Sequence, residues 1–332
     1  MKTNLTKALG IATLTVALLA GTAAAQDKAM SLTMAGASPG GLWSLLGVGV
    51  DRAAKQANPD ATVTYQTSGG GVANVVLLEQ KRADIGLVHN AELRLALEGQ
   101  PPFREKAGNL AAIATMYDWA PMQLIVARSF ADKHGLKTLE DLATRKPPIR
   151  IVLNRRGNIA QMVAEKMLEA NGITTADIEK WGGAVVLAGS EEQADLIRDG
   201  RVDALFNSLF VGQRSLIEVG QHLDVVMLPA GDATIDKVAQ SMGVTKFTIP
   251  AGSYAFQKEP VPTASLGALL VANKDMPEAT AYALAKGLVE NVGQINAVHP
   301  AMKALTPAFM VNQTVLPFHP GAQKLFKEKG LM

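Results

Sequence analysis

Short apolar runs alternate with amphipathic stretches along this chain from residue 32 onward. The apolar runs at residues 32–35, 62–65, 85–88 and 111–116 predict strands. The stretches between them, residues 41–56, 72–81 and 92–97, carry apolar positions at helical spacing. Asn58-Pro59 ends the first of these helices. A second set follows, with strands at residues 122–127, 149–153, 184–187, 203–206 and 223–228. Its helices lie at residues 159–169 and from Ser190, where Ser190-Glu191-Glu192-Gln193 reads as a capping box and Gly200 as the stop. Strand–helix alternation predicts an α/β protein built on mainly parallel sheets flanked by helices. Two such sets in tandem predict two lobes, with residues 123–128 crossing between them. The last third is less regular. It predicts a strand at 268–272 and a helix from Pro277 to about residue 298. The expected division places residues 26–125 and about 230–262 in the first lobe. Residues 126–229 and about 263–332 then form the second.

The first 25 residues do not belong to this pattern. Lys2 and Lys7 precede an apolar run over residues 8–20, and Ala23-Ala24-Ala25 supplies a small-residue cleavage site. This is the plan of a secretory signal peptide, with cleavage expected before Gln26. No cysteine follows the run, so lipid attachment there is excluded. Without the leader, 307 of 332 residues remain, carrying 30 basic and 30 acidic side chains. A chain of that length can bury two cores. Its zero net charge gives no reason to expect nucleic acid or an anionic membrane surface as partner. With no cysteine and five scattered histidines, neither a disulfide framework nor a zinc-ligand spacing is present, and no cofactor is expected.

Candidate chemistry gathers at the turns that follow strands. Ser38-Pro39-Gly40-Gly41 and Ser68-Gly69-Gly70-Gly71 each follow a strand and open a helix. Such turns set free N–H groups and the positive end of a helix dipole in one place, which suits a small anion. Asn74, one turn into its helix, is expected to point back at that place, and Trp43 to line it. In the second lobe Asn154-Arg155-Arg156-Gly157-Asn158 is the matching turn. There Arg155 or Arg156 could grip a carboxylate in a forked contact and Asn158 stands at the helix start. His89-Asn90 and Asn207-Ser208 occupy the same carboxyl edge, where open α/β sheets bind ligands. Gly36-Ala37-Ser38-Pro39-Gly40 also matches a nucleophile elbow, but the residue after the serine is proline and has no N–H for an oxyanion. A serine hydrolase is therefore disfavoured.

These turns, in this order, resemble the TAXI family of solute receptors of TRAP transporters. The resemblance rests on Ala37-Ser38-Pro39-Gly40-Gly41-Leu42-Trp43, on Gly69-Gly70-Gly71-Val72-Ala73-Asn74 and on Ala83-Asp84-Ile85-Gly86-Leu87-Val88. It continues through residues 136–142, Ile249-Pro250-Ala251-Gly252-Ser253-Tyr254 and Pro317-Phe318-His319-Pro320-Gly321-Ala322. It departs from the family at Trp43-Ser44 (a tyrosine pair), Gly71 (a serine) and His89 (a glutamine). What it implies is a type II-like, Venus-flytrap periplasmic binding protein. Such a protein is a monomer that closes on one small organic anion, a carboxylate or amino acid, without catalysis. It then hands the solute to an ion-gradient-driven TRAP membrane permease. A receptor for an ABC transporter, or a sensor with the same fold, has the same sequence signature.

Overall fold

The computed structural model describes residues 30–37, 42–312 and 315–332. The signal-peptide reading and Ser38, Gly40 and Gly41 lie outside the described residues. Three parallel strands open the fold: β1 (Ser31–Ala35), β2 (Thr62–Gln66) and β3 (Ile85–His89). They alternate with α1 (Leu42–Ala57), α2 (Gly71–Glu79) and α3 (Asn90–Glu98). The register sets Ala35 beside both Gln66 and Gly86. The turns after all three strands therefore share one edge.

The chain then enters β4 (Leu110–Ala127), an 18-residue strand. The pattern predicted two strands here, broken between residues 116 and 122. The structure runs them into one, because Asp118 and Trp119 are only half-buried while the residues on both sides are buried. The polar residues mark a surface on a continuous strand, not its end.

Past β4 come α4 (Arg128–His134), α5 (Asp141–Arg145), β5 (Arg150–Leu153), α6 (Ile159–Glu169), α7 (Thr175–Lys180), β6 (Ala184–Leu187) and α8 (Ser190–Arg198). Next are β7 (Ala204–Ser208), α9 (Arg214–His222), β8 (Val225–Leu228), α10 (Asp232–Met242) and β9 (Thr245–Ile249). Strands β6, β5 and β7 are parallel, and β7 and β8 flank the second half of β4 antiparallel. Helix α8 starts at Ser190 itself, the residue expected to cap it. Gly189 is the N-cap, and Ser190 Oγ instead accepts a hydrogen bond from Asn207 Nδ2 at 3.0 Å.

β10 (Val261–Asn273) is a second long strand, not the five-residue one expected. It pairs antiparallel with β9, β4 and β3. The expected single helix after Pro277 is two, α11 (Glu278–Glu290) and α12 (Val292–Asn296), parted at Asn291, whose side-chain amide donates to the Gly287 carbonyl at 3.1 Å. A short 3-10 helix (Pro300–Ala304), α13 (Pro307–Met310) and α14 (Pro320–Glu328) close the chain.

The expected division of the last third is corrected. Strand β10 returns the chain to the first lobe: its residues 268–272 pair with β3, α11 packs on α1, and α14 packs on α11. Residues 317–319 also hydrogen-bond to Ala112 of β4. Conversely, β9, Tyr254 and Val261 join the apolar cluster of Ile125, Val152 and Leu205 in the second lobe. The apolar faces dictate this, since the alanine-rich face of α11 fits against Ala53 and Ala54 of α1. Two strands, β4 and β10, thus carry the chain between lobes.

Candidate functional site

The two lobes meet in rows across β3, β10 and β4. Ala268 pairs with both His89 and Tyr117. In the next row Gly267 faces Asp118 and Trp119, where the register of β10 on β4 shifts between Leu266 and Ala268. A Cβ on Gly267 would stand 2.9 Å from the Tyr117 carbonyl and 3.0 Å from Asn90 Nδ2. Only glycine allows that approach. The second lobe begins two residues on: Ser208 pairs with Met122 and its Oγ donates to the Ala120 carbonyl at 2.6 Å. Below this crossing Gln123, fully buried, donates to the Leu209 carbonyl and accepts from Tyr254 Oη at 2.8 Å.

On the first-lobe side a directed hydrogen-bond chain forms the wall. Trp43 Nε1 donates to Tyr117 Oη at 2.9 Å, and that oxygen lies 3.3 Å from His89 Nε2. His89 Nδ1 faces Glu92 Oε2 at 3.1 Å, and the same carboxylate oxygen accepts from the His89 backbone N–H. The His89 ring is thus held at both nitrogens, by Tyr117 Oη and by Glu92 Oε2. Burial, and secondarily the nearby Glu92 charge, push the Tyr117 hydroxyl well above its usual range; the Trp43 bond opposes this. Tyr117 stays protonated and serves as a rigid link, not as a base.

Glu92 occupies the place where the sequence puts an incoming anion. A Cβ on Gly71, the first residue of α2, would lie 1.5 Å from Glu92 Oε2. The glycines of residues 69–71 are thus used by the fold. Gly70 takes a left-handed φ of 93° as N-cap, and Gly71 makes room for the protein's own carboxylate. Asn74 does not point back at the turn's outer face. It is fully buried, and its Nδ2 donates to the Gly36 and Leu87 carbonyls at 2.8 and 2.7 Å. That pins the ends of β1 and β3. Ser68 Oγ, 2.6 Å from Asn74 Oδ1 and 2.7 Å from the Gly36 carbonyl, also accepts from Gly70 N. Ser68 and Asn74 therefore build the edge from within. Trp43, only 7% exposed, stands behind His89 with ring centroids 4.6 Å apart.

The second-lobe edge is assembled in the same way. Asn154 Nδ2 donates to Asn207 Oδ1 at 3.1 Å, and Ser208 N donates to that oxygen at 2.9 Å. Asn207 is fully buried and clamps the ends of β5 and β7 to α8. Asn158 caps α6 through Ala160 N at 2.8 Å. Arg155 and Arg156 are exposed, and neither is in an ion pair among the described residues. The Arg155 guanidinium lies over the start of α8, 3.0 Å from where a Cβ on Gly189 would stand. Glu191 and Glu192 occupy the first turn of that helix.

Several site residues escaped the sequence reading. Tyr117 and Trp119 were hidden inside a strand expected to end at residue 116, and Phe210 and His299 follow no motif. Only Glu92 had a signal, three residues after His89, the spacing of a capping pair. Phe210 after β7 meets Tyr117 at 5.2 Å and His299 at 5.5 Å across the lobes, and Trp119 meets Phe309 at 4.8 Å. Burial holds the His299 pKa below the usual histidine value and raises that of Asp118. Asn90 Oδ1 and Trp119 Nε1 are buried without a hydrogen-bond partner. A cavity of about 1230 Å³ lies at the opposite sheet edge, lined by Met30, Asp84, Asp275 and Lys286 among others.

No described helix is long and apolar enough to cross a membrane. Among the described residues no group of His, Asp or Glu is placed to hold a metal ion. The architecture matches solved structures of two-lobed binding proteins. The periplasmic binding protein BugD is 14% identical, with a TM-score of 0.53 over 91% of this chain and 98% of that one. MatC from Rhodopseudomonas palustris, solved with bound malate, is 12% identical, with a TM-score of 0.53 over 90% and 97%. A TctC solute binding protein from Polaromonas is 13% identical, with a TM-score of 0.52 over 91% and 97%. At these identities the likeness is one of fold. Residues 34–330 match the NMT1-like family.

Proposed function

Since this chain belongs to the NMT1-like family, we propose that it is a periplasmic solute receptor of the TAXI type. It captures one small organic anion between its lobes and delivers it to a TRAP permease. The observation that carries the reading is the pair of carboxyl sheet edges, one in each lobe, joined among the described residues by the two long strands β4 and β10. A ligand touching both edges favours the closed arrangement by its differential contacts, which is ordinary population shift. The wall residues are hydrogen-bonded to one another, and Tyr117 is held protonated. Such an arrangement suits the binding and positioning of a solute. The signal-peptide pattern of residues 1–25 supports the compartment.

A thermal-shift screen of organic acids, amino acids, sugars and amines against the mature chain tests this. A tight ligand stabilises the folded form by mass action, about 2.7 kcal/mol at a hundredfold excess over Kd. The expected result is a clear upward shift for at least one organic acid. A panel in which nothing raises the melting temperature contradicts the receptor reading.

A further inference from the structure

The first-lobe anion position is already filled. Glu92 is 3% exposed, its Oε2 accepts from His89 N, and the same oxygen presses on the Cα side of Gly71 at the start of α2. A carboxylate at the positive end of a helix is favourably placed. A second one brought beside it in a partly desolvated crevice is repelled. The second-lobe edge differs: its cationic side chains, Arg155 and Arg156, are exposed at the ends of β5 and over the start of α8.

The junction beside Glu92 is aromatic. The chain has three tryptophans and four tyrosines, yet Trp43, Trp119 and Tyr117 all stand here. They form one run of rings with His89, Phe210 and Phe309. Trp43, Tyr117 and Phe210 are buried, while His89, Trp119, His299 and Phe309 keep part of their surfaces accessible. Flat ring faces and edges receive a flat apolar partner through offset and edge-on contacts.

From the buried Glu92 carboxylate and the ring-lined wall, we infer that the solute is an aromatic monocarboxylate. Its uncharged ring lies on the first lobe and its single carboxylate meets Arg155 in the second. Glu92 is the specificity determinant that excludes a second anionic group from the first-lobe end. This rests on the receptor reading and narrows its organic anion to a class.

Two probes that differ by one carboxylate, phenylacetate and 4-carboxyphenylacetate, are titrated calorimetrically against the mature protein and against Glu92→Gln. The wild type is expected to bind phenylacetate at least tenfold more tightly than the diacid. In Glu92→Gln the ratio should fall severalfold because the diacid gains affinity. The inference is overturned if the wild type binds the diacid as tightly or more tightly, or if the ratio is unchanged in the variant. Should the variant not fold, the wild-type ratio decides alone. Absence of binding by phenylacetate while the thermal-shift panel yields a different ligand also overturns it, and leaves the receptor reading standing. A panel with no ligand at all sinks the receptor reading itself.

Discussion

Glu92 and Gly71 show how one contact redirects a site. Read as sequence, Ser68-Gly69-Gly70-Gly71 is an anion cradle. In the fold its first helical residue is glycine because Glu92 needs the space. Gly71→Ala must expel the carboxylate and break its bond to His89 N, a charged hydrogen bond worth about 1.5–3 kcal/mol. The loss should appear in urea unfolding, and Gly71→Ala with Glu92→Ala together should cost less than the sum of the two. Strict additivity would show that the two residues do not touch. On the opposite edge, Arg155→Ala should weaken ligand binding by about 2–5 kcal/mol, the range for a charged contact left unpaired. Arg156→Ala should have a smaller effect, because it is the Arg155 guanidinium that lies over α8. Equal binding by both variants and wild type in calorimetry would place the anion elsewhere. His299 offers a pH test. Its Nδ1 accepts from Ala301 N, and burial lowers its pKa below the unfolded value. The folded state then binds fewer protons than the unfolded one, so stability falls as pH drops from about 6.5 toward the lowered pKa. Urea midpoints at pH 7.5 and 5.5 should differ less in His299→Asn than in the wild type.

At the level of elements, the helices and strands of the two βαβ sets were legible because short apolar runs alternate with amphipathic stretches and most are bounded by glycine, proline or polar turns. Residues 159–169 and 184–187 are the elements Ile159–Glu169 and Ala184–Leu187. The long strands were not legible. Polar Asp118 and Trp119 interrupt the apolar pattern of β4, and Gly267 interrupts β10, since local pattern reports exposure and not continuity of pairing. The candidate site was legible as an edge and not as a set of contacts. Asn74 and Asn207 have the right residue type at the right edge, but hydrogen bonds inside the edge consume them. The interruption has its own consequence. With Gly267 set between the Tyr117 carbonyl and Asn90, Gly267→Ala should overpack the crossing and cost about 1–3 kcal/mol. Denaturant unfolding checks this, and an unchanged midpoint would show that the crossing yields freely.

Across the whole molecule, the C-terminal third decides the architecture. By returning through β10 to pack on α1, it makes the first lobe a three-part assembly and, among the described residues, leaves β4 and β10 as the strands between lobes. No motif announced this return; it follows from matching apolar faces that lie far apart in sequence. A two-strand crossing can hinge, and rings such as Phe210 and His299 meet across it. The account therefore stands on closure around a solute. The chain contains no cysteine, so Thr67→Cys after β2 and Glu191→Cys at the start of α8, both exposed on the two facing edges, accept a pair of spin labels without background. The distance distribution between them is measured with and without a saturating ligand from the thermal-shift screen. The account predicts a shorter and narrower distribution with ligand. An unchanged distribution at saturation would contradict it.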